Sequence, residues 1–261
     1  MIAVADNLNT RNSFYMEALA RRDQETVSDL ARKITVAGAD IINIQCSLDS
    51  AGDENTLPWV TEIISAETDL LLSLDSRNVD ALKLSIPTCR KPPLVNFLSE
   101  AEPEDHSTLL SLVADLGASL VLRASKGIIP NSIEAKLQIL EELIEIANEA
   151  DIPNSRLYAD PSIIHLVGGM GQKNLANSYA CIKVLTDLIE PPINTIAWIG
   201  NVSIGIQEPL KKSVEASLLL YLAGAGLDAA IVDILDDSVK GAIYLIKSFR
   251  DEIVFSGADL I

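Results

Sequence analysis

The chain has 261 residues, of which 48% are hydrophobic, and a formal net charge of −17. This length fits two average domains or one large α/β barrel, and the hydrophobic fraction can supply a sizeable core. The negative charge argues against a surface that binds nucleic acid or an anionic membrane, because both contacts need clustered Lys and Arg. We therefore expect a cytoplasmic protein that binds neither.

The sequence lacks the usual signals of disulfides, metal centres and membrane insertion. Cys46, Cys89 and Cys181 lie far apart in apolar surroundings, which favours small buried residues over a disulfide framework. Two isolated histidines, with no CxxC or HExxH spacing, predict no metal of the chain's own. We expect neither a signal peptide nor a membrane span, because no basic region precedes an apolar stretch and Gly or Asp interrupts the longest apolar runs.

Short apolar runs alternate along the chain with segments of helical spacing. The runs predict eight strands, at residues 1–5, 40–45, 70–75, 92–97, 119–124, 156–160, 195–201 and 228–233. The clearest helical pattern follows Pro130, with Asn131 or Ser132 as its cap. Other helices are predicted to begin near Met16, Pro58, Glu104, Asn174, Pro209 and Val239. The segment after the third strand is short, and Ser76 is expected to cap it.

Eight strands that alternate with helices predict an α/β protein of the (β/α)8 TIM-barrel class. No Pro/Gly/Ser-rich linker interrupts the pattern, so we expect a single domain over residues 1–261. A doubly wound open sheet is the alternative that the same alternation allows.

In such a barrel the ligand lies at the carboxyl ends of the strands. The residues at these ends are carboxylates and carboxamides: Asp6, Asn7, Asn9, Asn43, Gln45, Asp75, Asn96, Asp160, Asn201 and Asp233. Each could simply cap the helix that follows. Asn96 and Asn201 fit that alternative less well, because they follow apolar residues as though still inside a strand. A buried amide needs both donor and acceptor partners, which a flat heterocycle would supply.

Four motifs at these strand ends resemble those of a known family. They are "SLDS" around Asp75, "LVNF" around Asn96, "LYADP" around Asp160 and "IGNVSIG" around Asn201. In order and spacing they are similar to the pterin-binding methyltransferases that move a methyl group from methyltetrahydrofolate to the cobalt of a corrinoid protein. Dihydropteroate synthases are more distant relatives. The resemblance covers nearly the whole chain.

The resemblance implies a tetrahydrofolate-like reduced pterin as substrate, bound in the mouth of the barrel. Asp75, Asn96 and Asp160 would bind the pyrimidine edge of the pterin, and Asn201 would be the catalytic residue beside N5. Asn9, Asn43 and Asp233, which also lie at strand ends, complete the expected pterin-binding set. A corrinoid (cobalamin) would be carried by a partner protein, since this chain has no DxHxxG sequence. Similar enzymes are commonly homodimers, which we also expect here.

The sequence departs from this family at several positions. Asp6 to Asn9 stand in place of Glu-Arg-Ile-Asn, and Asn43 and Gln45 in place of Asp-x-Asn. Ile204 and Glu208 replace Gln and Arg, so the charge is reversed where the substrate's tail would pass.

Three explanations of these departures stay open. The enzyme could use a different pterin or tail, it could serve an unusual corrinoid partner, or the chain could be a pterin-binding relative that docks such a protein without catalysis. Condensation like that of dihydropteroate synthase is less favoured, because a pterin diphosphate needs basic residues and this rim looks acidic.

Overall fold

The computed structural model describes residues 1–99 and 106–257, and its strands close into one barrel. All neighbouring strands are parallel and follow chain order, and the first pairs with the eighth. The strands are β1 (Ile2–Leu8), β2 (Ile41–Ile44), β3 (Leu71–Asp75), β4 (Leu94–Leu98), β5 (Ser119–Arg123), β6 (Leu157–Asp160), β7 (Asn194–Trp198) and β8 (Ala229–Val232). The predicted (β/α)8 barrel is confirmed, and the open-sheet alternative is wrong.

Helices surround this barrel. They are α1 (Ser13–Arg21), α2 (Gln24–Val36), α3 (Asp53–Glu67), α4 (Val79–Ser85), α5 (His106–Asp115), α6 (Ile133–Glu149), α7 (Gly171–Leu188), α8 (Leu210–Ala223) and α9 (Asp237–Phe249). Within residues 1–99 and 106–257, no helix combines the length and apolar composition that crossing a bilayer requires.

Capping residues explain where the helices differ from prediction. Two helices, not one, separate β1 from β2, because Asn12 caps α1 and Asp23 caps α2. The helix expected near Pro58 begins five residues earlier, and Pro58 lies inside it. Ser132 caps α6, as predicted. The expected start near Glu104 lies outside the described residues.

The predicted cap at Ser76 is wrong. The side chain of Asn78 accepts a hydrogen bond from the backbone N–H of Ala81 and so caps α4. Ser76 instead donates its hydroxyl to Asp53 Oδ2 at 2.6 Å, across to the start of α3. The short polar segment after β3 is therefore tied to its neighbouring helix as well as to its own.

The barrel interior changes from apolar to polar towards the carboxyl ends of the strands. Its apolar part is formed by Val4, Ile41, Leu94, Val121, Ile196, Trp198, Ala229 and Ile231. Side chains of a strand alternate between its two faces, so residues two positions further on face the same interior. The interior positions nearest the mouth are Asp6, Gln45, Asp75, Asn96, Arg123, Asp160 and Asp233. The strand period thus gathers the polar side chains at one end of the barrel.

Candidate active site

Two hydrogen-bonded pairs occupy the ends of β2 and β3. Gln45 Nε2 donates to Asp75 Oδ2 at 2.9 Å, and Gln45 Oε1 accepts from the hydroxyl of Thr10 at 3.0 Å. One step deeper, Ser73 donates to Asn43 Oδ1 at 2.8 Å. The amide nitrogen of Asn43 has no partner among the described residues. These contacts orient Asp75 at the mouth of the barrel.

Asn96 is fully buried, and its backbone lies opposite Asp75 in the β3–β4 pairing. Within the part of the chain that the structure describes, neither its amide nitrogen nor its amide oxygen has a hydrogen-bond partner. Leaving a buried polar group unpaired costs about 1–3 kcal/mol. A donor and an acceptor left open at one side chain are suited to a ligand with complementary groups on one edge.

Asp160 forms an ion pair with Arg123, a residue that was not predicted from the sequence. Arg123 Nε donates to Asp160 Oδ2 at 3.1 Å, and the backbone N–H of Ser162 donates to Oδ1 at 2.8 Å. The guanidinium of Arg123 stacks on the ring of Phe97, 3.6 Å from its centroid. The sequence could have indicated Arg123 by its position, because it ends β5 two residues after the buried Val121 and therefore faces the interior.

A cavity of about 270 Å³ opens at the mouth. This volume is just below the range of about 300–1,000 Å³ that is usual for small-molecule sites. Its lining residues are Arg11, Gln45, Ser47, Leu48, Ser50, Asp75, Arg77, Phe97, Arg123, Trp198 and Asn201. Three of them are arginines, so the rim is not uniformly acidic, contrary to the impression from the sequence. We call this space the central cavity.

A second cavity of about 250 Å³, the side cavity, lies against β1, β8 and the start of α8. There Lys212 Nζ contacts Asp233 Oδ2 at 2.7 Å, and Asn7 Nδ2 donates to Asp233 Oδ1 at 2.6 Å. Burial by itself raises the pKa of Asp233, but Lys212 and Asn7 outweigh it and hold the pKa below its ordinary value. Asp233 is therefore ionised and held within the protein.

The structure separates the predicted site residues into three groups. Asp75 and Asn201 line the central cavity, whereas Asn9 and Asp233 line the side cavity. Asn43, Asn96 and Asp160 line neither, although they lie at interior positions of the alternate strands β2, β4 and β6.

Asn201 ends the short 3-10 turn Ile199–Asn201 that follows β7. Its amide oxygen accepts a hydrogen bond from Arg11 Nη2 at 3.0 Å. Arg11 lines both cavities. The sequence reasoning missed Arg11, because it lies in a polar loop two residues after Asn9 and carries no motif of its own.

Two carboxyl groups at the mouth titrate unusually close to neutrality. Burial raises the pKa of Asp75 to about 6, although the charge of Arg123 and the amide of Gln45 oppose the shift. Burial also raises the pKa of Asp6 to about 7, against the indole N–H of Trp198, which donates to Asp6 Oδ2 at 2.7 Å. The mouth can therefore hold or release a proton in the physiological range.

Metal-ligating side chains do not cluster in this region. Within residues 1–99 and 106–257, no group of three or more His, Cys, Asp or Glu residues could hold a metal ion. The three cysteines carry free thiols, and Cys46 and Cys181 are buried.

The sequence is similar to proteins of a known family. The model of the family described as "Pterin binding enzyme" matches residues 7–233. The chain belongs to the pterin-binding enzyme family. It is 25% identical, over 247 residues, to the methylcorrinoid:tetrahydrofolate methyltransferase of Eubacterium limosum, and the match covers 94% of this chain and 89% of that protein.

Solved structures similar to this member of the pterin-binding family confirm its fold. A dihydropteroate synthetase with a product superimposes with a TM-score of 0.72 at 17% identity. The dihydropteroate synthase of Yersinia pestis with a pterine-sulfa conjugate gives 0.71 at 16% identity. Each match covers 96% of this chain and 94% of the other.

Proposed function

We propose that this enzyme transfers a methyl group between N5 of a methyl-tetrahydropterin and the reduced cobalt of a separate corrinoid protein. The observation that carries the proposal is the fully buried Asn96, with both amide atoms unpaired among the described residues, opposite Asp75 in the sheet. A pterin presents alternating N–H and C=O groups along one edge, which is the complement of these two side chains.

Pterin recognition would divide between charged and neutral partners. The carboxylate of Asp75 accepts N–H groups of the pyrimidine ring, and Asn96 supplies one donor and one acceptor. Asp160 adds a second carboxylate, held by Arg123 and the backbone of Ser162. Asp75 meets the flat edge of the ring from the central cavity, and Asn96 and Asp160, which line neither cavity, reach it when the neighbouring side chains of Phe97 and Arg123 move aside. N5 then faces Asn201.

Methyl transfer away from the pterin breaks the N5–CH3 bond and forms a bond between the methyl carbon and cobalt. The cobalt supplies the electron pair for the new bond, N5 keeps the pair of the broken bond, and a proton neutralises N5. A donor beside N5 strengthens its hydrogen bond as negative charge develops there, so it lowers the barrier. Asn201, which lines the central cavity, takes this role. The reverse transfer follows the same steps backwards.

The corrinoid is a substrate brought by a partner protein. The name of the Eubacterium limosum relative pairs a methylcorrinoid with tetrahydrofolate, which supports both substrates of the proposal. It also favours the direction in which tetrahydrofolate accepts the methyl group. Cations for an anionic tail are present at Arg77 and Arg123, although Glu208 lacks the family's positive charge.

Calorimetric titration with methyltetrahydrofolate tests the pterin part of this proposal. We expect micromolar binding, and about tenfold weaker binding by Asn96→Ala, since one buried hydrogen-bonding side chain is lost. Asn148→Ala is the matched control, because Asn148 is exposed near the end of α6, away from both cavities. Absence of heat with every reduced pterin would exclude the proposed function.

A partner protein that docks without catalysis is the main alternative. It predicts a complex with the corrinoid protein that survives Asp75→Ala and Asp160→Ala, with the partner's activity unchanged. Pterin binding with no methyl transfer to or from a corrinoid protein would favour this alternative.

Homodimer formation stays a prediction. Leu220 and Tyr221 of α8 are exposed by 37% and 47%, next to an apolar groove between α7 and α8. Light scattering should give about twice the chain mass of 28.1 kDa if the prediction holds.

A further inference from the structure

Arg11 links the two cavities at the mouth of the barrel. It lies in the short loop between β1 and α1, and it lines both the central cavity and the side cavity. Its Nη2 donates to Asn201 Oδ1 at 3.0 Å, a contact between residues 190 positions apart in the chain. The loop after β1 thus reaches the turn after β7.

Local hydrogen bonds fix the loop that carries Arg11. The backbone N–H of Arg11 donates to Asn9 Oδ1 at 2.7 Å, and Asn12 Nδ2 donates to the backbone oxygen of Asn7 at 2.8 Å. The guanidinium also lies 6.0 Å from the ring centroid of Trp198. The backbone of Arg11 is therefore fixed by Asn9, and its exposed side chain contacts Asn201 and the face of Trp198.

The chemistry of the pair determines the orientation of the Asn201 amide. A guanidinium has only donors, whereas an amide has one donor group and one acceptor group. The oxygen of Asn201 must face Arg11, so the –NH2 group is left for another partner. Without Arg11, the amide could rotate and present its oxygen to the ligand instead.

We propose that Arg11 is a positioning residue for methyl transfer: it holds the Asn201 amide so that an N–H, rather than the oxygen, is offered to N5 of the pterin. This inference rests on the proposed function. The positive charge of Arg11 also withdraws electron density from the amide and makes its N–H a stronger donor. Binding of the pterin edge uses other residues and depends little on Arg11.

Transfer rates separate this role from a general contribution to the cavity. Arg11→Gln should slow methyl transfer at saturating pterin about tenfold, the loss expected for one hydrogen bond from a charged donor, while the Kd for methyltetrahydrofolate changes less than about twofold. Arg11→Lys, which keeps a cationic donor, should recover part of the rate. Arg90→Gln is the matched control, because Arg90 pairs with Asp69 on the surface and lines neither cavity.

A double-mutant cycle tests whether Arg11 acts through Asn201. In an Asn201→Ala background, Arg11→Gln should slow transfer by less than about twofold, because the group that it positions is already absent. A full tenfold effect in that background would overturn the inference. So would an Arg11→Gln single variant with unchanged transfer rate.

The side-chain amide signal of Asn201 in a nitrogen–proton correlation spectrum gives a readout independent of activity. The signal is identified by its loss in Asn201→Ala. Arg11→Gln should shift it in the protein without ligand, and Arg90→Gln should not. An unmoved signal would reject the Arg11 contact even if methyl transfer is found. A shifted signal in a protein without transfer activity would retain the contact and reject the proposed function.

Discussion

Polar side chains at the two ends of the barrel differ in their hydrogen-bond partners. At the amino end, Asp40 Oδ2 accepts the backbone N–H of Ala3 at 2.8 Å, and Asp228 Oδ2 accepts that of Thr195 at 2.8 Å. At the carboxyl end, Asn96 carries an amide with no partner among the described residues, and Asp6 carries one such oxygen.

This difference indicates how each end contributes. A carboxylate that accepts a backbone N–H stabilises the strand junction where it lies, so its polarity serves the fold. A buried group without a partner reduces stability unless a ligand later supplies the partner. The two aspartates at the amino end therefore stabilise the fold, whereas the unpaired amide of Asn96 at the carboxyl end reduces stability until a ligand pairs with it.

The largest effect should follow from Asn201→Ala at the carboxyl end. Methyl transfer should slow about 100-fold, because removal of a donor that acts mainly on the transition state costs on that order. The Kd for methyltetrahydrofolate should change only a few-fold. Single-turnover kinetics and calorimetry measure the two quantities, and Asn148→Ala serves as the control. Equal losses in both would assign Asn201 to binding instead.

Substituting one aspartate at each end compares the two ends directly. Asp75→Asn should weaken pterin binding about thirtyfold, because a charge-assisted hydrogen bond is lost. Asp228→Asn should leave the Kd unchanged and lower the free energy of unfolding by about 1 kcal/mol, since its bonds to Thr195 lose the charge. Calorimetry and urea denaturation measure these values. The comparison fails if Asp228→Asn weakens binding as much as Asp75→Asn.

The same Asp75→Asn substitution should stabilise the fold. The pKa of Asp75 is about 6 in the folded protein and 3.8 ordinarily, so the folded state binds more protons between these values. Its contribution to the free energy of unfolding falls as the pH rises through this window, and the full penalty remains above pH 6. Removing the charge should therefore add about 3 kcal/mol at pH 7.5. A lower free energy of unfolding for Asp75→Asn would show that the charge of Asp75 does not destabilise the fold.

Pterin binding should weaken in acid for the same reason. Below about pH 6 the carboxylate of Asp75 takes up a proton, and the ligand's N–H groups must displace it. The Kd for methyltetrahydrofolate should then rise by up to about tenfold for each pH unit. Calorimetry from pH 5 to 8 measures the slope, and Asp75→Asn should abolish it. A slope that persists in this variant would point to another titrating group, of which Asp6 is the nearest candidate.

The barrel could be predicted from the sequence because it depends on a repeated local pattern. The strands are short, largely apolar runs, and polar residues lie at or near their carboxyl ends, as Asp75 does in β3. The helix boundaries depend instead on single capping residues, and α4 is capped by Asn78 rather than by Ser76. The motif around Asn96 drew attention to this amide, but only the structure shows that both its atoms lack partners in the described part of the chain.

The cations of the site could not be predicted in the same way. Arg123 becomes informative only when β5 and β6 are neighbours and its guanidinium reaches Asp160. Arg11 contacts Asn201 across 190 residues of sequence. The division of the mouth into two cavities, which separates Asp233 from Asp75, likewise depends on closure of the barrel.

Substitution of Glu208 should have the smallest effect on binding. It tests whether the family's sequence pattern or the geometry of the cavities locates the substrate's tail. The family pattern has Arg where this chain has Glu208, which suggests that a substrate tail passes there. In the structure Glu208 is exposed and lines neither cavity, whereas Arg11 and Arg77 line the central one. An exposed charge outside the cavity contributes little to binding in salt. Glu208→Arg should therefore change the Kd for methyltetrahydrofolate less than about twofold. Tenfold tighter binding would show instead that the tail passes over this loop. The family's sequence pattern would then locate the tail better than the cavities do.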